Sequence, residues 1–214
     1  NMAVNAKGEE ITSIWTPANI VTCVRIVFIP VFMVVSEFSI SLMGVSDSGI
    51  AAPFAWTAFI LYAVLSLTDK VDGELARSRG EITDFGKFLD PIADKLLVFS
   101  ALLILLVHGY VNIWFVFIIL FREFLVSALR MVASANGEVI AADNLGKWKT
   151  AVTMVSLCGY FLGIALSFAC GSVGFPPYLV IQMGARVLMV AAVVLTVVSG
   201  AQYFWNARKI VFRV

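Results

Sequence analysis

The chain has 214 residues, of which 61% are hydrophobic and 14% charged. A soluble domain carries about 25% charged residues, so this composition excludes an ordinary water-soluble protein, and its long apolar runs imply one integral to a membrane. The net charge of +1, with no basic arm, says nothing for a nucleic-acid partner. Cys23, Cys158 and Cys170 lie in or beside apolar runs without metal-ligand spacing, and read as packing residues rather than a disulfide framework.

Asn1 precedes Met2 and reads as an addition ahead of a natural start; the polar, mixed-charge segment after it does not resemble a cleavable signal peptide. Lys7 to Asn19 predicts a short helix on the membrane surface, with Trp15 at headgroup depth, so residues 1–19 form an interfacial segment. The first span is expected from Ile20 to Val35, with Arg25 near its start, placed to snorkel or to face a cavity. Ser36 to Pro53 is a short polar connection, and the second span runs from Phe54 into an acidic stretch. Thr83, Asp84 and Phe85 break the chain before a third helix from Gly86 to Val107. His108 to Asn112 is a tight turn; His108 carries no assigned role. Three further spans are predicted from Val111 to Ala133, Gly146 to Ala169 and Tyr178 to Tyr203. The fold class is therefore all-α, with six transmembrane helices in one domain over residues 20–207 and a basic tail over 208–214.

The loops expected after the first, third and fifth spans contain no lysine or arginine. The other side carries Lys70, Arg77, Arg79, Lys87, Lys147, Lys149, Arg208, Lys209 and Arg213, so both termini and the acidic stretch are expected in the cytoplasm.

That stretch, DKVDGELARSRGEITDFGKFLDPIAD, pairs Asp69 with Asp72 and Asp90 with Asp94. Spacings of three and four residues put each pair on one helix face. At about 100° per residue, Asp69, Asp72, Gly73, Ala76 and Gly80 share one stripe, with Arg77 at its edge. The acids thus share a face with the smallest side chains, which admits a bulky ligand to the backbone. Gly86 repeats the device ahead of Asp90 and Asp94. Four converging carboxylates repel one another, and a divalent cation removes that conflict. Oxygen donors without thiolates suit Mg²⁺ or Mn²⁺, and four acids suffice for two ions, a clamp used for attack at phosphorus.

The pattern D-x-x-D-G-x-x-A-R, eight residues, then G-x-x-x-D-x-x-x-D resembles the signature of the CDP-alcohol phosphatidyltransferases, with every position filled. The resemblance implies an enzyme that joins a CDP-linked lipid to an alcohol and releases CMP. It implies that Asp69, Asp72, Asp90 and Asp94 hold the metal pair, and that Asp94, last in the motif, is also the general base. It implies that Gly73, Ala76 and Arg77 receive the CDP-diacylglycerol head, with Thr83, Asn19 and Thr22 adding hydrogen bonds.

Arg122, Glu123 and Arg130 interrupt an apolar span, where each charge needs a partner or a cavity. Arg122 and Arg130 share a face; adjacent residues diverge by about 100°, so a direct Arg122–Glu123 pair is expected to be poor geometry and an anion from the substrate the better partner. Lys147 and Lys149 flank Trp148, as an interfacial anchor does. The segments REFLVSALRMVAS, GKWKT and TPANIVTCVRIVFIPVF are also similar to the bacterial phosphatidylglycerophosphate synthase branch of the family. That likeness covers Pro17 to Thr150; the last two spans share only their hydrophobicity. It implies sn-glycerol 3-phosphate as acceptor, its phosphate held by candidates Arg122, Arg130, Lys147 and Lys149, in a bacterial cytoplasmic membrane. Another acceptor of the same family (inositol phosphate, serine or phosphatidylglycerol) is the nearest alternative, and an ion transporter built on the acids a remote one. Gly159 and Gly163 form a G-x-x-x-G spacing, expected to serve packing within the chain ahead of a homodimer.

Overall fold

A computed structural model describes residues 16–44, 48–79, 84–135, 144–169 and 176–211. They form six helices: α1 Pro17–Ser41, α2 Ser48–Arg79, α3 Asp84–Val107, α4 Ile113–Ala135, α5 Asn144–Ala169 and α6 Pro177–Val211. A single 3-10 turn, Leu42–Gly44, follows α1, and no strand occurs among the described residues. The all-α class read from the sequence holds. Among the described residues, four segments are long and apolar enough to cross a membrane: Asn19–Ser41, Gly49–Thr68, Leu145–Phe168 and Pro177–Asn206. α3 and α4 have 24 and 23 residues, but Asp90, Asp94 and Lys95 interrupt the first and Arg122, Glu123 and Arg130 the second.

Several boundaries differ from the sequence reading; among them α6 continues to Val211, past the expected end at Tyr203 and into the expected basic tail. α1 opens at Pro17, so Pro17 to Asn19 belong to the first long helix and not to a separate surface helix; residues 1–15 lie outside the described residues. The Thr16 hydroxyl accepts from Asn19 N at 3.4 Å, and Pro17 needs no acceptor at the first helical position. α1 also runs on to Ser41, past the expected end at Val35. Ser36 and Ser39 did not stop it because both are buried, and the Ser39 hydroxyl donates to the Ser36 carbonyl at 2.8 Å within the helix. α2 begins at Ser48 and passes through Pro53, close enough to its start that little of the hydrogen-bond ladder is lost.

The chain divides into two compact units, one of Asn1–Ile104 with Ile164–Gly171, the other of Leu105–Gly163 with Ser172–Val214. In the first, α1 packs along α2, where Ala51, Ala55 and Ala58 are buried and let the helices approach. The Phe32 and Tyr62 rings meet at 5.6 Å between centroids. The opposite side of α1 exposes Val24, Val27, Phe28, Val31 and Val34, the apolar exterior that suits a lipid solvent.

In the second unit α4 packs on α6. α5 meets α6 through its glycines: a Cβ at Gly159 would lie 3.1 Å from Ala185 Cβ, and one at Gly163 2.6 Å from Gln182 Cγ. Ser156 Oγ donates to the Ala185 carbonyl at 2.7 Å across the same seam. The G-x-x-x-G spacing thus serves packing within the chain, as the sequence reading favoured. The turn before α4 closes on Gly109 at φ +74°, with Tyr110 N donating to Leu105 O at 2.8 Å. Burial pushes the Tyr110 hydroxyl above its usual range, and the Arg186 guanidinium pulls it part of the way back.

Candidate active site

The acidic residues belong to the first unit. α2 is helical through Arg79, so Asp69 and Asp72 stand one turn apart on its last turns, as their spacing required. The side chains of Asp69, Asp72, Gly73, Ala76 and Arg77, and the whole of Thr83, lie outside the described residues. α3 starts at Asp84, two residues ahead of the expected Gly86, and carries Asp90 and Asp94 on successive turns. Gly86 is buried one turn before Asp90. Thr22 Oγ1 of α1 donates to Asp90 Oδ1 at 2.9 Å, which orients that carboxylate and leaves its other oxygen for a ligand. Asp90 is exposed, whereas Asp94 is half-buried with Oδ1 screened from solvent. Carboxylate oxygens, one steered by a hydroxyl, are the donor chemistry Mg²⁺ and Mn²⁺ prefer, so the residues fit such an ion.

α1 supplies a polar stripe. Asn19, Thr22 and Arg25 recur every three residues and are 3%, 2% and 2% exposed. Arg25 therefore does not snorkel to the surface; its guanidinium is enclosed on the face that holds Thr22 against Asp90. The sequence reading gave Arg25 no role in the site, although the Asn19–Thr22–Arg25 spacing was a signal that could have found it.

The basic residues belong to the second unit. Arg122 Nη1 donates to Glu123 Oε1 at 3.3 Å, Arg122 Nη2 to Ser199 Oγ at 3.3 Å, and Lys149 Nζ to Glu123 Oε1. Arg130 Nε donates to Tyr203 Oη at 3.2 Å, its guanidinium carbon 5.6 Å from that ring's centre. The Arg122–Glu123 pair corrects the sequence expectation: the Cβ atoms diverge, but two long side chains bend back to meet. Glu123 thus sits between two cations and balances one of them. Lys149 is buried, while Lys147 and Trp148 are exposed. Residues two apart point about 200° from each other on a helix, so the GKWKT segment divides, with Lys149 inside and Lys147 and Trp148 on the anchoring face. A Cβ at Gly146 would lie 3.5 Å from Arg122 Nη2, and one at Gly200 3.0 Å from Arg122 Cγ, so glycines on α5 and α6 make room for this arginine. Ser199 and Tyr203 were absent from the sequence candidates, because hydroxyls in an apolar helix carry no local mark of function.

The model of the CDP-alcohol phosphatidyltransferase family matches residues 15–198. The chain is 41% identical over 197 residues to the CDP-diacylglycerol–glycerol-3-phosphate 3-phosphatidyltransferase of Bacillus subtilis, covering 89% of this chain and 96% of that protein. It is 34% identical over 191 residues to the protein of the same name in Rickettsia felis, covering 89% and 94% of the two chains. The namesake in Haemophilus influenzae is 31% identical over 192 residues, covering 87% and 90%. With its acidic pairs on consecutive helices and this match along most of its length, the chain belongs to the CDP-alcohol phosphatidyltransferase family.

Proposed function

We propose that the chain transfers the phosphatidyl group of CDP-diacylglycerol to sn-glycerol 3-phosphate, giving phosphatidylglycerol phosphate and CMP. The observation that carries this is the shared name of relatives 31% to 41% identical over nearly the whole chain. The cluster of Arg122, Arg130 and Lys149 supports it, since arginine forks and a lysine point charge suit a phosphate dianion.

In this reading Asp69, Asp72 and Asp90 would hold two divalent ions, Mg²⁺ or Mn²⁺, with Asp94 completing the coordination of the second ion. When bound, the ions neutralise the pyrophosphate and the charge that develops on the departing CMP. Gly73 and Ala76 leave room for the nucleotide beside α2, and Arg77 contacts the donor's phosphates. Asn19, Thr22 and Thr83 add hydrogen bonds on the cytidine side; Thr22 also keeps Asp90 turned toward its ligand. Arg122, Arg130 and Lys149 hold the acceptor phosphate, whereas Lys147, on the anchoring face, stays at the membrane boundary. The acceptor hydroxyl oxygen attacks the phosphorus nearer the lipid, the bond from that phosphorus to the CMP oxygen breaks, and the hydroxyl proton passes to the Asp94 carboxylate. No covalent enzyme intermediate is needed. α3 and α4 complete six membrane crossings, with both termini and the aspartates facing the cytoplasm, where glycerol 3-phosphate arrives.

The deciding experiment is CMP release from CDP-diacylglycerol with a panel of acceptors. Glycerol 3-phosphate is expected to react and inositol phosphate, serine and phosphatidylglycerol to remain unused. Turnover with inositol phosphate and none with glycerol 3-phosphate would end the assignment.

A further inference from the structure

We infer that Ser199, Gly200 and Tyr203 of α6 form a positioning element that fixes the two arginines of the acceptor site; the inference rests on the acceptor assignment above and assigns α6 a part in it. Arg122 and Arg130 are eight residues apart on α4, about 12 Å along the axis. Their anchors, Ser199 and Tyr203, are four residues apart on α6, about 6 Å. The anchoring residues therefore stand closer together along α6 than the two arginines do along α4, and each arginine is tied to one of them.

The chemistry of each anchor sets its direction. Ser199 Oγ donates to the Thr196 carbonyl at 3.3 Å, which commits its proton and leaves its lone pairs for Arg122 Nη2. Gly200 is where the stem of Arg122 passes: a Cβ there would lie 3.0 Å from Arg122 Cγ, so a larger residue would push the arginine away from Ser199. Tyr203 accepts from Arg130 Nε and presents its ring to the same guanidinium, leaving both terminal nitrogens of Arg130 for an anion. Ser199 and Tyr203 are 1% and 4% exposed, so the anchors are set in packed structure while Arg130 is open. Arg122 Nε is buried with no hydrogen-bond partner among the described residues, so the arginine is fixed through its two terminal nitrogens. Arginines held in this way lose less side-chain freedom when phosphate binds, so the element acts on acceptor affinity.

The test measures kcat and the KM of each substrate for Tyr203→Phe, Ser199→Ala, Gly200→Ala, Arg122→Ala and Arg130→Ala. Tyr203→Phe keeps the ring and removes only the hydroxyl. It is expected to raise the KM for glycerol 3-phosphate about five- to tenfold, with the KM for CDP-diacylglycerol within about twofold of the parent. Ser199→Ala and Gly200→Ala are expected to do the same through Arg122. Adding Tyr203→Phe to Arg130→Ala is expected to cost nothing further, because the hydroxyl acts through that arginine. Equal increases in both KM values, or additive effects in the double variant, would overturn the inference in favour of general destabilisation. A raised acceptor KM in the arginine variants alone would overturn the positioning role and leave the acceptor site standing. Arginine variants with unchanged acceptor KM would bring down both.

Discussion

Lys149, buried near the start of α5, gives its ammonium to the Glu123 carboxylate of α4, and Arg122 reaches the same oxygen from 3.3 Å. The side chains of Lys149 and Glu123 are 6% and 17% exposed, so the pair is largely removed from water. Removing one partner leaves the other charge buried and uncompensated, which costs about 3 kcal/mol or more. Glu123→Gln is therefore expected to lower stability by about 3 kcal/mol, read as thermal unfolding in detergent micelles. Adding Lys149→Met should recover much of that loss, since the stranded ammonium goes with it. Equal stability of Glu123→Gln and the parent would show that the pair is solvated.

The Thr22–Asp90 hydrogen bond makes a second prediction. Thr22→Val keeps the shape and removes one bond to a charged group, an interaction worth about 1.5–3 kcal/mol. Activity is expected to fall about tenfold, and the magnesium concentration for half-maximal rate to rise. A magnesium titration of purified protein checks both, and an unshifted titration would mean that Thr22 does not steer the carboxylate.

Asp94→Asn removes the proposed base while keeping an oxygen donor. Turnover should fall about a thousandfold, the scale of lost general-base catalysis, with CDP-diacylglycerol still bound. Single-turnover CMP release together with donor binding separates the two effects; parental turnover would remove Asp94 from the chemistry.

Metal removal is expected to stop CMP release, and either Mg²⁺ or Mn²⁺ to restore it, because an all-oxygen carboxylate set favours hard ions over zinc. Steady release after exhaustive chelation would mean that the acids have another purpose.

Gly163→Val tests the α5–α6 seam. A Cβ there would lie 2.6 Å from Gln182 Cγ, and overpacking of this kind costs about 1–3 kcal/mol. A lower unfolding temperature is expected with an unchanged particle mass by light scattering, as the contact lies within one chain. A halved mass would instead assign the glycines to a dimer.

The all-helical class, the ends of α3 to α5 to within a few residues, and the arrangement of the acidic pairs along α2 and α3 were legible in the sequence. Run length, spacing and turn chemistry are local properties, and the chain states them directly. The end of α1 was less legible: Ser36 and Ser39 look like a polar connection until the buried face and its backbone acceptor are known. The basic residues depended on tertiary structure altogether. Arg122 and Arg130 find their anchors 77 and 73 residues away, and Lys149 finds Glu123 26 residues away. No periodicity within one helix encodes such distances. In a helix apolar on every side, the pattern of side chains cannot say which face meets a neighbour and which meets lipid, so the fate of Arg25, Lys149, Ser199 and Tyr203 was decided only by packing.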